Sequence, residues 1–238
     1  FIVSYPKSGN TWVRFLLGNL ISGDLNFRNM DGIIPDIYNV NNKKLKSYTR
    51  PRILKSHEYF HPGYAKVIYI VRDPRSVAIS YYHYLQKVNK IPSDIPFQSY
   101  LENFINGGYD SYGTWKDNVE SWLSTRQDDP NSLILTKYEN LVSDTYKEFL
   151  RIVDFIGIDT SESAIKKAME KSSFSSMKAN EKMTKDKAKE FEKTDLSKPF
   201  VRSGRTDEWK EVMSEQDLKL IYKHFGSTME KLGYQLKK

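Results

Sequence analysis

FIVSYPKSGNTWVRFLLGNLI, residues 1 to 21, decides the fold. Phe1-Ile2-Val3 is a short apolar run with β propensity, and Tyr5 to Thr11 carries turn chemistry. Trp12 to Ile21 reads as a helix, with Val13, Phe15, Leu16, Leu17 and Leu20 apolar. A strand, a glycine-containing loop with a lysine and then a helix together offer backbone N–H groups and a positive helix end to a phosphate. Gly9 lets the backbone approach closely, Lys7 supplies a point charge, and Ser8 and Thr11 add hydroxyl donors. The Walker spacing G-x-x-x-x-G-K-[ST] is absent, because Lys7 precedes Gly9. Taken alone, such a stretch is also compatible with plain βα punctuation, so the rest of the chain must decide.

At 238 residues the chain is long enough for one large α/β domain, expected to span residues 1–238. No apolar run approaches the length of a membrane span and no signal-peptide pattern is visible, which leads to the expectation of a cytoplasmic protein. With no cysteine there is no disulfide framework, no thiolate chemistry and no cysteine-ligated metal. A net charge of +7 favours anionic ligands but is too modest to imply nucleic acid.

Downstream, Ser22 to Lys46 is rich in Asn, Asp, Gly and Lys without a clear period, an irregular excursion of the kind that covers a site. Arg52 to His57 reads as a second strand and Lys66 to Val71 as the clearest buried one. Asp73 or Pro74 then opens a helix that runs to Leu85. Two strand–loop–helix units with polar strand ends predict a parallel sheet whose ligand lies beyond its carboxyl edge. Phe97 to Ile105 is a helix, and Tyr112 to Thr125 another, with Trp115, Val119, Trp122 and Leu123 on one core face. Ser132 to Thr136 is a further buried strand, followed by helices over Leu141 to Ile156 and Ser161 to Lys171. Phe174 to Lys198 is read as a mobile, solvated, lysine-rich segment, and Arg202 to Arg205 as part of a basic, flexible loop. A last helix covers Ser214 to Leu232.

A parallel sheet would bring Lys7-Ser8-Gly9, Lys55-Ser56-His57 and Arg72 with Ser80 to one edge. The set offers several cations, a helix N-terminus and one histidine, with almost no carboxylate: an anion site with a candidate base rather than a metal site. The same residues resemble a known family, the PAPS-dependent sulfotransferases of the cytosolic type. Tyr5-Pro6-Lys7-Ser8-Gly9-Asn10-Thr11-Trp12 resembles the family's loop for the 5′-phosphosulfate of 3′-phosphoadenosine 5′-phosphosulfate (PAPS). Arg72-Asp73-Pro74-Arg75 through Ser80-Tyr81-Tyr82-His83 resembles its 3′-phosphate motif, and Lys55-Ser56-His57 the triplet that carries the base. Tyr112-Gly113-Thr114-Trp115 resembles a structural helix start, and Ser172-Ser173-Phe174 the adenine segment. Arg202-Ser203-Gly204 with Trp209-Lys210 resembles the late phosphate loop.

The resemblance implies a P-loop-like central parallel sheet with helices on both faces. It implies PAPS as co-substrate, 3′-phosphoadenosine 5′-phosphate (PAP) as product, and no metal. Lys7, Lys55 and His57 become the catalytic candidates, with His57 as base. Lys7, Ser8, Gly9, Asn10, Thr11, Trp12, Arg72, Ser80, Arg202, Ser203 and Gly204 would bind the donor; Trp12 and Phe174 would sandwich adenine, with Tyr138 and Ser172 at its edge. Three departures stand out: Ser203 replaces the usual lysine, Asp207 a glycine and Glu208 an aspartate. The family's dimerisation motif is not recognisable in Val212 to Leu220, which points to a monomer or weak dimer. Tyr59, Phe60, Tyr81, Tyr82 and Tyr84 suggest an aromatic or lipid-like small-molecule acceptor. A P-loop-type kinase using Asp73, or a non-catalytic nucleotide-binding protein, are the alternatives.

Overall fold

Alternation along the strands sorts the apolar side chains onto two faces of one sheet. The structure, a computed structural model, describes residues 1–48, 51–125, 131–188 and 191–236. Its strands are β1 (Ile2–Ser4), β2 (Lys55–Ser56), β3 (Val67–Val71) and β4 (Leu133–Lys137). They form a four-stranded sheet in the order β2-β1-β3-β4, parallel throughout. Between β1 and β2 lie α1 (Asn10–Ser22), α2 (Met30–Ile33) and α3 (Asn42–Ser47). Between β3 and β4 come α4 (Pro74–Lys87), α5 (Phe97–Ile105) and α6 (Trp115–Thr125). After β4 follow α7 (Tyr138–Ser143), α8 (Thr145–Ile156), α9 (Glu162–Lys171), α10 (Phe174–Thr184), α11 (Trp209–Val212) and α12 (Glu215–Lys231).

Ile2, Ile68, Ile70 and Ile134 face one layer, packing with Val13, Leu16 and Leu17 of α1, Phe149 and Ile152 of α8, and Ile165 of α9. Val3, Tyr69, Val71 and Leu133 face the other, against α4, α5, α6 and α12. Trp115 and Trp122 lie fully buried there, as their helical spacing suggested. Sheet strands buried on both faces read as continuous apolar runs, which is why VIYIV is so clear a strand. The parallel register sets the ends of β1, β2, β3 and β4 side by side, so the loop after Ser4, His57, Arg72 and Tyr138 share one edge.

The helix expected over Leu141 to Ile156 is two helices. Asp144 breaks it, turning the backbone to φ −147° and capping α8 by accepting from the Lys147 N–H. The segment from Phe174 is not a solvated tether either. It begins as α10, and beyond it Ala188 and Phe191 are buried with Phe15, Leu25, Phe27, Met177 and Val201 in a third cluster. Lys189 and Glu190, also within that expectation, lie outside the described residues. Two buried charged side chains secure the stretch: Glu181 accepts from the N–H groups of Phe200 and Val201, and Lys87 donates to the carbonyls of Asp195 and Lys198. Lysine frequency marked the outer face of this region and masked the apolar residues spaced between the charges.

Candidate active site

A cavity of about 940 Å³ opens at the carboxyl edge of the sheet. The loop between β1 and α1 forms its floor. Lys7 takes a left-handed φ of 66°, uncommon for a side-chain-bearing residue, and Gly9 a φ of 107°. Gly9 is required as well by space, since a Cβ there would come within 2.6 Å of the Tyr138 ring. Asn10 ties the loop to the strands, its amide donating to the Ile2 and Ser56 carbonyls and to the Ser4 hydroxyl. The Lys7 ammonium lies 4.3 Å from each of the Tyr84 and Phe200 ring centres, a cation–π position on both.

His57 stands at one end of the cavity. Its Nδ1 is 2.7 Å from the Ser4 carbonyl oxygen, which can only accept, so Nδ1 carries the hydrogen and Nε2 keeps its lone pair. Burial first, then the charges of Lys55, Lys7 and Arg14, hold the imidazole well below its ordinary 6.5, with the Ser4 carbonyl opposing. The ring is therefore neutral at pH 7. Tyr38 stacks beside it at 6.2 Å between centres and Tyr112 meets it at 5.4 Å. Lys55 is ion-paired to Asp36 at 2.6 Å.

Trp12 marks the other end. Its indole N–H donates to the Ser172 carbonyl at 3.0 Å, and its ring meets Tyr138 edge-on at 5.7 Å. The Asn19 amide holds the Ser172 hydroxyl, and Phe174, 43% exposed, rests against Gly204. Arg72 stacks 4.2 Å from the Tyr138 ring centre and donates to the carbonyls of Lys7 and Arg205. The Arg72 Nε and the Ser8 hydroxyl are buried without a partner among the described residues. Arg202 sits in a two-toothed ion pair with Glu208, which holds that carboxyl below its usual range.

Most residues singled out from the sequence thus come together. Lys7, Gly9, Asn10, Thr11, Trp12, Lys55, His57, Arg72, Ser80, Tyr138, Ser172, Phe174, Arg202, Ser203 and Gly204 all line the cavity; Ser8 lies buried beneath it. The aromatic acceptor wall is only partly as expected. Tyr81 and Tyr84 line the cavity, but Tyr59, Phe60 and Tyr82 are not among its lining residues. Phe60 packs on Trp122, and Tyr82 packs on Phe97 and Tyr100 with its hydroxyl on the Ile95 carbonyl. α4 points Tyr81 and Tyr84, three residues apart, to the cavity and turns Tyr82 away. The wall is completed by Tyr38, which the sequence reading passed over, and by Tyr112, which it placed in a structural helix; the supposed scarcity of carboxylates is corrected by Asp36, Asp110 and Glu170 on the cavity and by Glu208 on Arg202. Asp36 had a signal: a lone charge inside the apolar run Ile33-Ile34-Pro35-Asp36-Ile37.

Fold and cavity together give an α/β protein with a cation-lined cleft at the carboxyl edge of its sheet. The comparisons make the class specific. The sulfotransferase domain model matches residues 1–233, and the chain belongs to that family. Sulfotransferase 1E1 of Cavia porcellus is 30% identical over 253 positions, covering 99% of this chain and 84% of its own. Sulfotransferase 1B1 of Mus musculus is 29% identical, covering 96% and 83%. Mouse sulfotransferase SULT7A1, solved in complex with PAP, superposes with a TM-score of 0.73 at 26% identity, covering 96% of this chain and 82% of its own. Retinol dehydratase, solved with androsterone and PAP, reaches a TM-score of 0.79 at 20% identity, over 100% and 82%, a likeness of fold.

Proposed function

We propose that this chain moves the sulfuryl group of PAPS to a hydroxyl or amine of a small-molecule acceptor, with His57 as the base. The observation that carries the reading is the placing of His57, its Nδ1 2.7 Å from the Ser4 carbonyl oxygen and its Nε2 left as the ring's available lone pair, on a cavity it shares with Lys7 and Lys55. When bound, PAPS supplies the transferable group and PAP as leaving group.

The residues fit such a donor. Arg72 Nε and Ser8 Oγ are buried polar atoms still short of a partner, and the Gly9 backbone leaves a cradle that any side chain would fill. The relative solved with PAP supports the same donor class. Lys7, Ser8 to Thr11, Arg72, Ser80, Arg202, Ser203 and Gly204 would hold the phosphates, and Trp12, Tyr138, Ser172 and Phe174 the adenine. His57 Nε2 takes the proton of the attacking hydroxyl or amine. Lys7 and Lys55 keep positive charge beside that point, where negative charge develops during transfer. Tyr38, Tyr81 and Tyr112 would face the acceptor.

The test is His57→Ala assayed with labelled PAPS over phenols, alcohols and amines. Turnover should fall by roughly a hundredfold to ten-thousandfold, the usual share of a general base. Calorimetry with PAP should show binding nearly unchanged. Substantial residual turnover would remove His57 from the role.

A further inference from the structure

We propose that Asp36 is the positioning residue of Lys55, carried to it by segment 34–38, which adds one rung to the outer side of β2. The proposal rests on the transfer reading above. Lys55 sits on an edge strand, and a lysine there has several rotamers of similar free energy. Segment 34–38 removes that freedom. The Lys55 N–H donates to the Pro35 carbonyl at 2.8 Å, and the Ile37 N–H to the Lys55 carbonyl at 3.2 Å, making a parallel bridge between Asp36 and Lys55. The Asp36 carboxylate, in a residue only 4% exposed, then meets the Lys55 ammonium at 2.6 Å.

Asp36 is itself fixed. Its other carboxylate oxygen accepts from the Tyr38 N–H at 3.0 Å, and its own N–H donates to Asp31, which is ion-paired to Arg14 of α1. Two residues on, the Tyr38 hydroxyl accepts from the His57 N–H at 2.9 Å, and its ring lies 5.2 Å from the Lys55 ammonium. One short segment therefore holds the Lys55 side chain and the His57 backbone, the two triplet residues that line the cavity. The sign of the charge is informative. A carboxylate lining a cavity that takes a polyanionic donor opposes binding, and asparagine would bridge the segment as well. What asparagine cannot do is aim an ammonium through an ion pair, beside the cations Lys7 and Arg14 that also act on His57.

The test is a double-mutant cycle of Asp36→Asn and Lys55→Met, read as kcat with labelled PAPS in single-turnover mode and as PAP affinity by calorimetry. In the Lys55 background Asp36→Asn should lower kcat by about tenfold to a hundredfold, the scale of a misplaced catalytic group. PAP affinity should be unchanged or tighter. In the Lys55→Met background the same substitution should change kcat less than about twofold, and this doubly neutral chain also avoids an unpaired buried ammonium. Equal losses in both backgrounds would show a merely structural aspartate and overturn the proposal, as would full turnover by Asp36→Asn. A wild-type chain that binds PAP yet moves no label overturns the transfer reading and this proposal with it; the Asp36 outcomes leave that reading standing.

Discussion

The two ends of the cavity are built by different means. The Trp12 end is assembled from side chains that directly follow strands or open helices: Trp12 in the first turn of α1, Arg72 after β3, Tyr138 after β4, Phe174 at the start of α10. The His57 end owes only His57, directly after β2, to such a position, with Lys55 in the strand itself. Its remaining wall comes from the excursion after α1, with Asp36 and Tyr38, and from the turn before α6, with Asp110 and Tyr112. Strand ends fix one half by sheet geometry. Loops docked on an edge strand fix the other, so the halves should respond differently to substitution.

Lys7 gives the largest expected contrast. Its ammonium lies between Tyr84 and Phe200, and it sits on the loop proposed to hold the donor's phosphate. Lys7→Ala should lower kcat by roughly a hundredfold to a thousandfold, comparable to removing a charge-stabilising donor, and weaken PAP by less than about tenfold. Single-turnover kinetics beside calorimetry separate the two quantities. A loss of PAP affinity with kcat unchanged would place Lys7 in binding alone and erase the distinction between the ends. Arg72→Ala should show the reverse pattern, with PAP affinity down by about tenfold to a hundredfold, as for a lost charge-assisted contact. Unchanged affinity would mean that the phosphate lies elsewhere.

The pH dependence sharpens the His57 end. As the proposed base, its imidazole must be neutral to accept a proton, and burial with three nearby cations holds its pKa low. The acid limb of kcat/KM should therefore fall below pH 6.5, with activity lost only as pH drops through the lowered value. Lys55→Met removes one of the cations that depress it, so the limb should move upward. A limb at or above 6.5 in the wild type would contradict a buried imidazole flanked by Lys55, Lys7 and Arg14.

These contrasts also explain what could be read from the chain. VIYIV, the Lys7–Gly9 loop and the start of α4 at Asp73-Pro74 were legible, since each is a contiguous run whose chemistry is local. The break at Asp144 was not, because apolar residues continue at helical spacing through it and only a side-chain cap divides the helices. Tyr112 was read as part of a structural helix, yet it lies before α6 and faces His57. Tyr82 carries the same composition as its neighbours Tyr81 and Tyr84, and only the helix phase of α4 tells them apart. Pairings such as Asp36 with Lys55 span loops whose path no period encodes.

The smallest expected effect lies within the Trp12 end and divides two arginines that the sequence treats alike. Arg72 donates only to carbonyls and has no ion pair among the described residues, so its full charge is available to a phosphate. Arg202 already holds Glu208 in a two-toothed pair, with its side chain 25% exposed, so a phosphate gains less from a guanidinium whose charge is largely offset. Arg202→Ala should then weaken PAP only about threefold to tenfold, well short of Arg72→Ala. Glu208→Gln tests the cause, because it keeps the side-chain shape and frees the charge, and it should tighten PAP by a few-fold. If Glu208→Gln weakens PAP instead, the carboxylate is holding Arg202 in its binding position, and the two arginines contribute on equal terms.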